Sequence, residues 1–197
     1  MSELNPFSRP VRADYQVAVV GGGPAGLAAA IAIARTGAAT ALIARRVPYA
    51  DNRTTALLGG SVGLLQNLDV WRRCEDKAAA LQTMRLIDDT GRLIRAPEVT
   101  FASDEIGLET FGFNIQNSVL LVAMEACAEQ LPNLVRYDDE AESVIPGEGH
   151  VTMRLHNGRS LTAQLAVGAD GRHSLCREAA GIAVNRRELD QSAVTFN

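Results

Sequence analysis

Lysine is almost absent: Lys77 is the only one in 197 residues, and arginine carries the rest of the positive charge. With 19 basic against 23 acidic side chains the net charge is -4, so the chain has no broad cationic field for nucleic acid or another polyanion. Cysteine is scarce. Cys74, Cys127 and Cys176 are far apart, with no C-x-x-C pair and no zinc spacing. That excludes a disulfide framework and a sequence-readable metal site, and fits reduced thiols in the cytoplasm. His150 and His156 have no cysteine or acidic partner at ligand spacing and read as surface residues. No run of roughly 18 apolar residues exists to span a membrane, although peripheral attachment is left open. Residues 1–14 carry two prolines and no apolar segment, so a mobile lead-in is expected rather than a signal peptide. No catalytic triad, acid–base pair, internal repeat or low-complexity tract stands out.

What is present is concentrated at residues 16–26. Val17, Val19 and Val20 read as a buried parallel strand. Gly21, Gly23 and Gly26 follow at the G-x-G-x-x-G spacing, and a helix is expected over 25–36, with Gly37 as its C-terminal glycine. Gly21 permits the tight turn, Gly23 lets backbone approach a pyrophosphate and is expected to use positive φ, and Gly26 lets the helix pack on the strand. Pro24 and Ala25 open the helix, whose N-terminus suits phosphate. A second strand over 40–44 completes a β-α-β unit. Dinucleotide folds usually end that strand with Asp or Glu to meet the ribose; here the position is Ala44, followed by Arg45 and Arg46. An NADP site would also fit, since arginine there can meet a 2′-phosphate.

Further along, 47–56 reads as irregular and Leu57–Leu68 as helical, with Trp71 closing it as core. Two apolar runs around Asp88-Asp89-Thr90-Gly91 predict a hairpin over 84–94, and 96–112 reads as irregular. A short strand over 113–116 leads into a helix capped by Asn117 or Ser118 and running to about Leu131. Leu120, Leu121, Met124, Cys127 and Leu131 share one face of it. Strands are expected at 134–137, 142–145, 151–155 and 160–167, with Asn157-Gly158 turning a hairpin. The last strand delivers Gly168-Ala169-Asp170-Gly171-Arg172-His173-Ser174, then a helix over 174–180 stopping at Gly181. Asp170 could accept from ribityl, ribose or backbone groups, and Arg172 could face phosphate. Taken alone, the stretch is a capped strand–turn–helix.

Together, Gly21-Gly22-Gly23-Pro24-Ala25-Gly26 and the Asp-Gly stretch at 168–174 resemble the group A flavoprotein monooxygenases, the family of para-hydroxybenzoate hydroxylase. Asp51-Asn52-Arg53-Thr54-Thr55-Ala56-Leu57 resembles its subgroup that hydroxylates ubiquinone precursors, and Asn114-Ile115-Gln116-Asn117 matches a flavin-contacting stretch. Ser118 departs from the subgroup, which has arginine there. The resemblance implies an α/β fold: a Rossmann-like FAD-binding domain over 15–180 with a mixed sheet and an antiparallel hairpin layer. Residues 82–113 would serve a substrate-side sheet, and 181–197 would start an incomplete substrate domain. It implies FAD as cofactor, NAD(P)H as co-substrate, and hydroxylation by O₂ of a small aromatic ring, with or without a polyprenyl tail. It implies flavin contacts from Arg53 and Gln116, and Asp170 at the junction of FAD and NAD(P)H. Family members are considerably longer, so the chain is expected to be an N-terminal portion, inactive alone and prone to self-association through an apolar edge near Phe196. The expected location is cytoplasmic, at the inner membrane or in a biosynthetic complex where the substrate requires it. A flavin-dependent reductase or halogenase on the same scaffold, or a non-catalytic nucleotide-binding remnant, stand as alternatives.

Overall fold

The computed structural model describes residues 14–46, 53–190 and 192. The rest of the lead-in, Asp51 and Asn52, and the edge expected near Phe196 lie outside the described residues. In chain order the elements are β1 Tyr15–Val20, α1 Pro24–Arg35, β2 Thr40–Ile43, β3 Thr54–Leu58, α2 Gly59–Asn67, β4 Ala79–Ala80, β5 Thr83–Leu86 and β6 Val99–Ala102. There follow β7 Gly112–Gln116, α3 Asn117–Ala128, β8 Leu134–Tyr137, β9 Ala141–Pro146, β10 Val151–Leu155, β11 Ser160–Gly168 and α4 Leu175–Ala179. They form two compact units, one from described residues up to 46 and from 124 onward, the other from 53–123.

The first unit is built on a six-stranded sheet in the order β8-β2-β1-β11-β10-β9. β1 lies between β2 and β11 and runs parallel to both, which is why its apolar run is continuous: both faces are covered. Ala18, Val20, Ala41, Ile43, Met153, Leu155, Leu161 and Ala163 form one core. The helix α1 buries Gly26, Leu27, Ala30, Ile31 and Ala34, a stripe at helical spacing, and Gly37 closes it with φ 92°. The antiparallel strands expected as a layer join this same sheet: β10 pairs with β11 and β9 with β10. β8 is not among them; it runs parallel to β2 at the opposite edge. Asp14, counted in the lead-in, is tied to the sheet: its carboxylate accepts from the Thr162 N–H and hydroxyl at 2.9 and 3.0 Å.

The second unit holds two small antiparallel sheets, β3-β7-β4 and β5-β6. Three expectations fail here. The residues Thr54–Leu58, expected as irregular chain and then helix, pair with β7, so the helix starts only at Gly59. The run Leu57-Leu58 could serve either period, and the cross-strand partner decided it. The partner of β5 is not 93–94 but β6, from Leu86↔Val99 to Thr83↔Ala102, which also replaces the irregular stretch expected after residue 96. Leu93 and Ile94 are almost fully exposed. Trp71 is buried as expected, its ring 5.1 Å from that of Phe113.

Candidate functional site

The glycine-rich turn sits at the end of β1, where three strands meet. The Gly21 N–H donates to the Ile43 carbonyl at 2.9 Å, and the Ala169 N–H to the Val20 carbonyl at 2.8 Å. Gly21 has φ 117°, and a β-carbon on it would stand 2.2 Å from the Ala169 carbonyl oxygen. A β-carbon on Gly26 would stand 1.9 Å from the Gly21 carbonyl oxygen. Both glycines are therefore required by the protein's own packing, one by the turn and one by the helix. So is Gly22, which the fingerprint spacing does not single out: its β-carbon would meet that of Ala44 at 2.7 Å.

Gly23 differs from all three. Its φ is -73° and ψ 176°, so the positive φ expected for it is not found, and a β-carbon on it would meet nothing within 4 Å. Nothing among the described residues requires glycine here. Gly23 is the N-cap of α1, no side chain caps the helix, and Pro24 occupies the first turn. The first intrahelical bond runs from the Leu27 N–H to the Gly23 carbonyl at 3.0 Å, so the N–H groups of Ala25 and Gly26 precede the helical ladder. With no acidic residue in the first turn, this end of α1 can hold an anion.

The Asp-Gly turn is delivered beside Gly21 by the register of β1 and β11, Val20↔Gly168. The Asp170 carboxylate accepts from the Ser174 hydroxyl at 2.6 Å and the Cys176 N–H at 3.1 Å. Ser174 in turn caps α4 by accepting from the Arg177 N–H at 3.0 Å. Burial pushes the Asp170 pKa up, but the hydrogen bonds from Ser174 and the backbone outweigh it and hold the carboxyl below the usual range. Burial, helped by the Asp170 charge, pushes the Cys176 thiol up to about 11. Arg172 is exposed, and its carbonyl accepts from the Arg177 guanidinium at 3.0 Å.

At the end of β2, Ala44 is 5% exposed and its methyl abuts the loop at Gly22. Arg45 is exposed and pairs with Glu140 at 3.2 Å. A residue not singled out from the sequence stands beside them. The Arg136 Nε donates to the Ala44 carbonyl at 3.2 Å, and its Nη1 donates to Glu125 of α3. This pair is largely buried, each side chain 16% exposed. No sequence signal marks it, because only the pairing of β8 with β2 brings position 136 to position 44.

In the second unit, Arg53 and Gln116 come together at one end of β3-β7. Thr54 is the register partner of Gln116, and the Arg53 carbonyl accepts from the Asn117 N–H at 2.9 Å. The structure thus gathers Gly21, Gly23, Pro24, Ala25, Gly26, Ala44 and Asp170 in one unit, and Arg53 with Gln116 in the other. Among the described residues no group of three His, Cys, Asp or Glu could hold a metal, and no helix is long and apolar enough to cross a membrane.

Comparison with known proteins bears on this geometry. An uncharacterised protein of Synechocystis sp. (strain ATCC 27184 / PCC 6803 / Kazusa) is 31% identical over 193 residues, which is 93% of this chain and 45% of that protein. The 3-demethoxyubiquinol 3-hydroxylase of Escherichia coli (strain K12) is 30% identical over 205 residues, 92% of this chain and 48% of that one. The chain spans about half the length of the curated relatives it matches. The solved structure of the flavin-dependent monooxygenase PieE, in complex with FAD and substrate, superposes with a TM-score of 0.71 at 24% identity, covering 88% of this chain and 33% of that one. At that identity the likeness is one of fold. The family described as FAD binding domain matches residues 14–196, and with that match over nearly the whole length the chain belongs to the FAD binding domain family.

Proposed function

We propose that the chain is the cofactor-holding part of an FAD-dependent monooxygenase that hydroxylates an aromatic ring, a ubiquinone precursor being the substrate class that its relatives favour. The observation that carries the reading is the contrast within one loop. Gly21, Gly22 and Gly26 are demanded by internal packing, whereas Gly23 opens onto space beside an uncapped helix end. Such a residue is kept small for something outside the described residues, and in this reading that is the cofactor.

In this reading the loop from Gly21 to Gly26, with Pro24 and Ala25, receives the FAD pyrophosphate on the Ala25 and Gly26 N–H groups. Arg45 lies near the adenosine end. Asp170 keeps its turn rigid through Ser174 and Cys176, so that backbone is fixed where FAD and NAD(P)H pass, with Arg172 at the exposed rim. Arg53 and Gln116 contact the isoalloxazine. When bound, the flavin supplies electron transfer from NAD(P)H and activation of O₂; the protein supplies position and exclusion of water. A polyprenyl tail on the substrate would bring the enzyme from the cytoplasm to the surface of the inner membrane.

The test is titration of FAD into the purified chain, followed by the flavin's visible absorption and fluorescence. Saturable binding that ADP displaces supports the reading. No binding of FAD, with NADP bound instead, would refute it and give Arg45 and Arg46 to a 2′-phosphate.

A further inference from the structure

We propose that Arg136, clamped by Glu125, is the residue that meets the adenosine ribose in this chain, a cation doing there what a carboxylate at position 44 does in other dinucleotide folds. This rests on the FAD reading of the glycine-rich loop.

The register sets the placement. Arg136 is the partner of Leu42 across β2 and β8. Side chains alternate along a strand, so Arg136, Leu42 and Ala44 share one face of the sheet. A carboxylate at 44 would project from the end of β2 on this face. Ala44 contributes only a methyl, and the Arg136 guanidinium comes to the same place. Its Nε is anchored on the Ala44 carbonyl and its Nη1 on Glu125. The remaining nitrogen, Nη2, lies 4.0 Å from where a Gly22 β-carbon would be, against the loop proposed to hold the pyrophosphate. A cavity of about 180 Å³ reaches Arg136; Leu42, Arg46, Glu125, Ala128, Glu129 and Leu134 line the rest of it.

Chemistry separates this from a purely structural ion pair. A largely buried pair of this kind contributes little net stability over an apolar pair of the same size, so stability alone does not require it. Three features together suit ligand recognition: one anchor on backbone, one on a carboxylate, and a third donor aimed at the loop. A guanidinium is planar and its donors are fixed, so anchoring two of them aims the third. It donates to ribose or phosphate oxygens, whereas a carboxylate only accepts from ribose hydroxyls. A site built this way tolerates, and favours, an anion on the ribose.

That difference is measurable in the intact chain by calorimetric titration of 5′-AMP and adenosine 2′,5′-bisphosphate. The parent should bind the bisphosphate about tenfold or more tightly, the worth of one charge-assisted hydrogen bond. The double variant Arg136→Met with Glu125→Gln leaves net charge unchanged. It should lose that preference and bind FAD about tenfold more weakly. If it does not fold, Arg136→Gln alone keeps a donor for Glu125 and should lose the preference too. Equal affinity of the parent for the two nucleotides, or a preference that survives loss of the guanidinium, overturns the assignment while leaving FAD binding intact. A parent that binds neither FAD nor adenosine nucleotides refutes the cofactor reading itself.

Discussion

Two glycines three residues apart should fail in opposite ways when replaced. At Gly23 the backbone is extended, a conformation open to any residue, and an added β-carbon meets nothing within 4 Å. Gly23→Val loses a few tenths to about 1 kcal/mol as a poorer N-cap. It regains about 0.4–1 kcal/mol because the unfolded chain is less free. The melting temperature should barely move. The valine methyls, however, stand over the end of α1. If two N–H groups lose a charged phosphate partner at about 1.5–3 kcal/mol each, FAD affinity should fall about a hundredfold or more. At Gly26 the balance reverses. An alanine β-carbon would lie 1.9 Å from the Gly21 carbonyl oxygen and 2.8 Å from its carbon. Backbone must give way, at roughly 1–3 kcal/mol or more, against about 1 kcal/mol gained from better helix propensity. Gly26→Ala should therefore melt several degrees lower, at roughly 2–4 °C per kcal/mol, before any ligand is added. Thermal melts and FAD titrations of the two variants read both effects. Equal FAD affinity of Gly23→Val and parent would show the loop to be a structural turn only.

Asp170 should contribute to stability with a defined pH dependence. Its carboxyl is held below the usual range in the fold, so its stabilisation is present above the unfolded value of about 3.9 and is lost as pH falls through the folded pKa. Asp170→Asn should destabilise the chain at neutral pH, with the gap in denaturant midpoint narrowing as pH drops below about 4; a constant gap would refute the carboxylate's role. Thiol modification should be slow in the native chain: Cys74 and Cys127 are buried, and Cys176, with its pKa near 11, stays protonated at neutral pH. Rapid alkylation of Cys176 at neutral pH would contradict that environment. In the β5-β6 ribbon every residue of β5 is exposed, and an isolated two-stranded ribbon is marginal. Its amides should exchange with solvent far faster than those of Ala18–Val20, which are fully buried or nearly so; similar protection would refute this.

Local pattern made the first unit legible. A continuous valine run, glycines at fixed offsets and a helical stripe all lie within 25 residues, and each answers to a single physical rule. The Asn157-Gly158 turn was legible for the same reason, with Gly158 at φ 83°. What escaped was decided by partners far away in sequence. Leu57 and Leu58 became strand because Phe113 and Gly112 pair with them. β5 chose Val99–Ala102 rather than the nearer Leu93-Ile94, and no composition rule ranks those options. Gly22 escaped because its constraint is the Ala44 methyl, and Arg136 because β8 docks on β2. The residues that close a site across strands carry no local signature.

The parallel pairing of β1 with β11 also has a consequence for how the protein comes into being. Tyr15 and Ala163, its partner, are separated by 148 positions, and the carbonyl that excludes a side chain at Gly21 belongs to Ala169. Such distant contacts are slow to form, because a long loop must close before they give anything back. On the ribosome the glycine-rich turn emerges well before β11, so it has no wall until β11 has been made and docked. Until then β1 presents an apolar edge, which invites unwanted strand pairing. If the loop holds FAD as proposed, cofactor capture is tied to near-completion of this whole unit: a nascent chain that stops short of Ala169 carries the full glycine motif and no finished place for a phosphate.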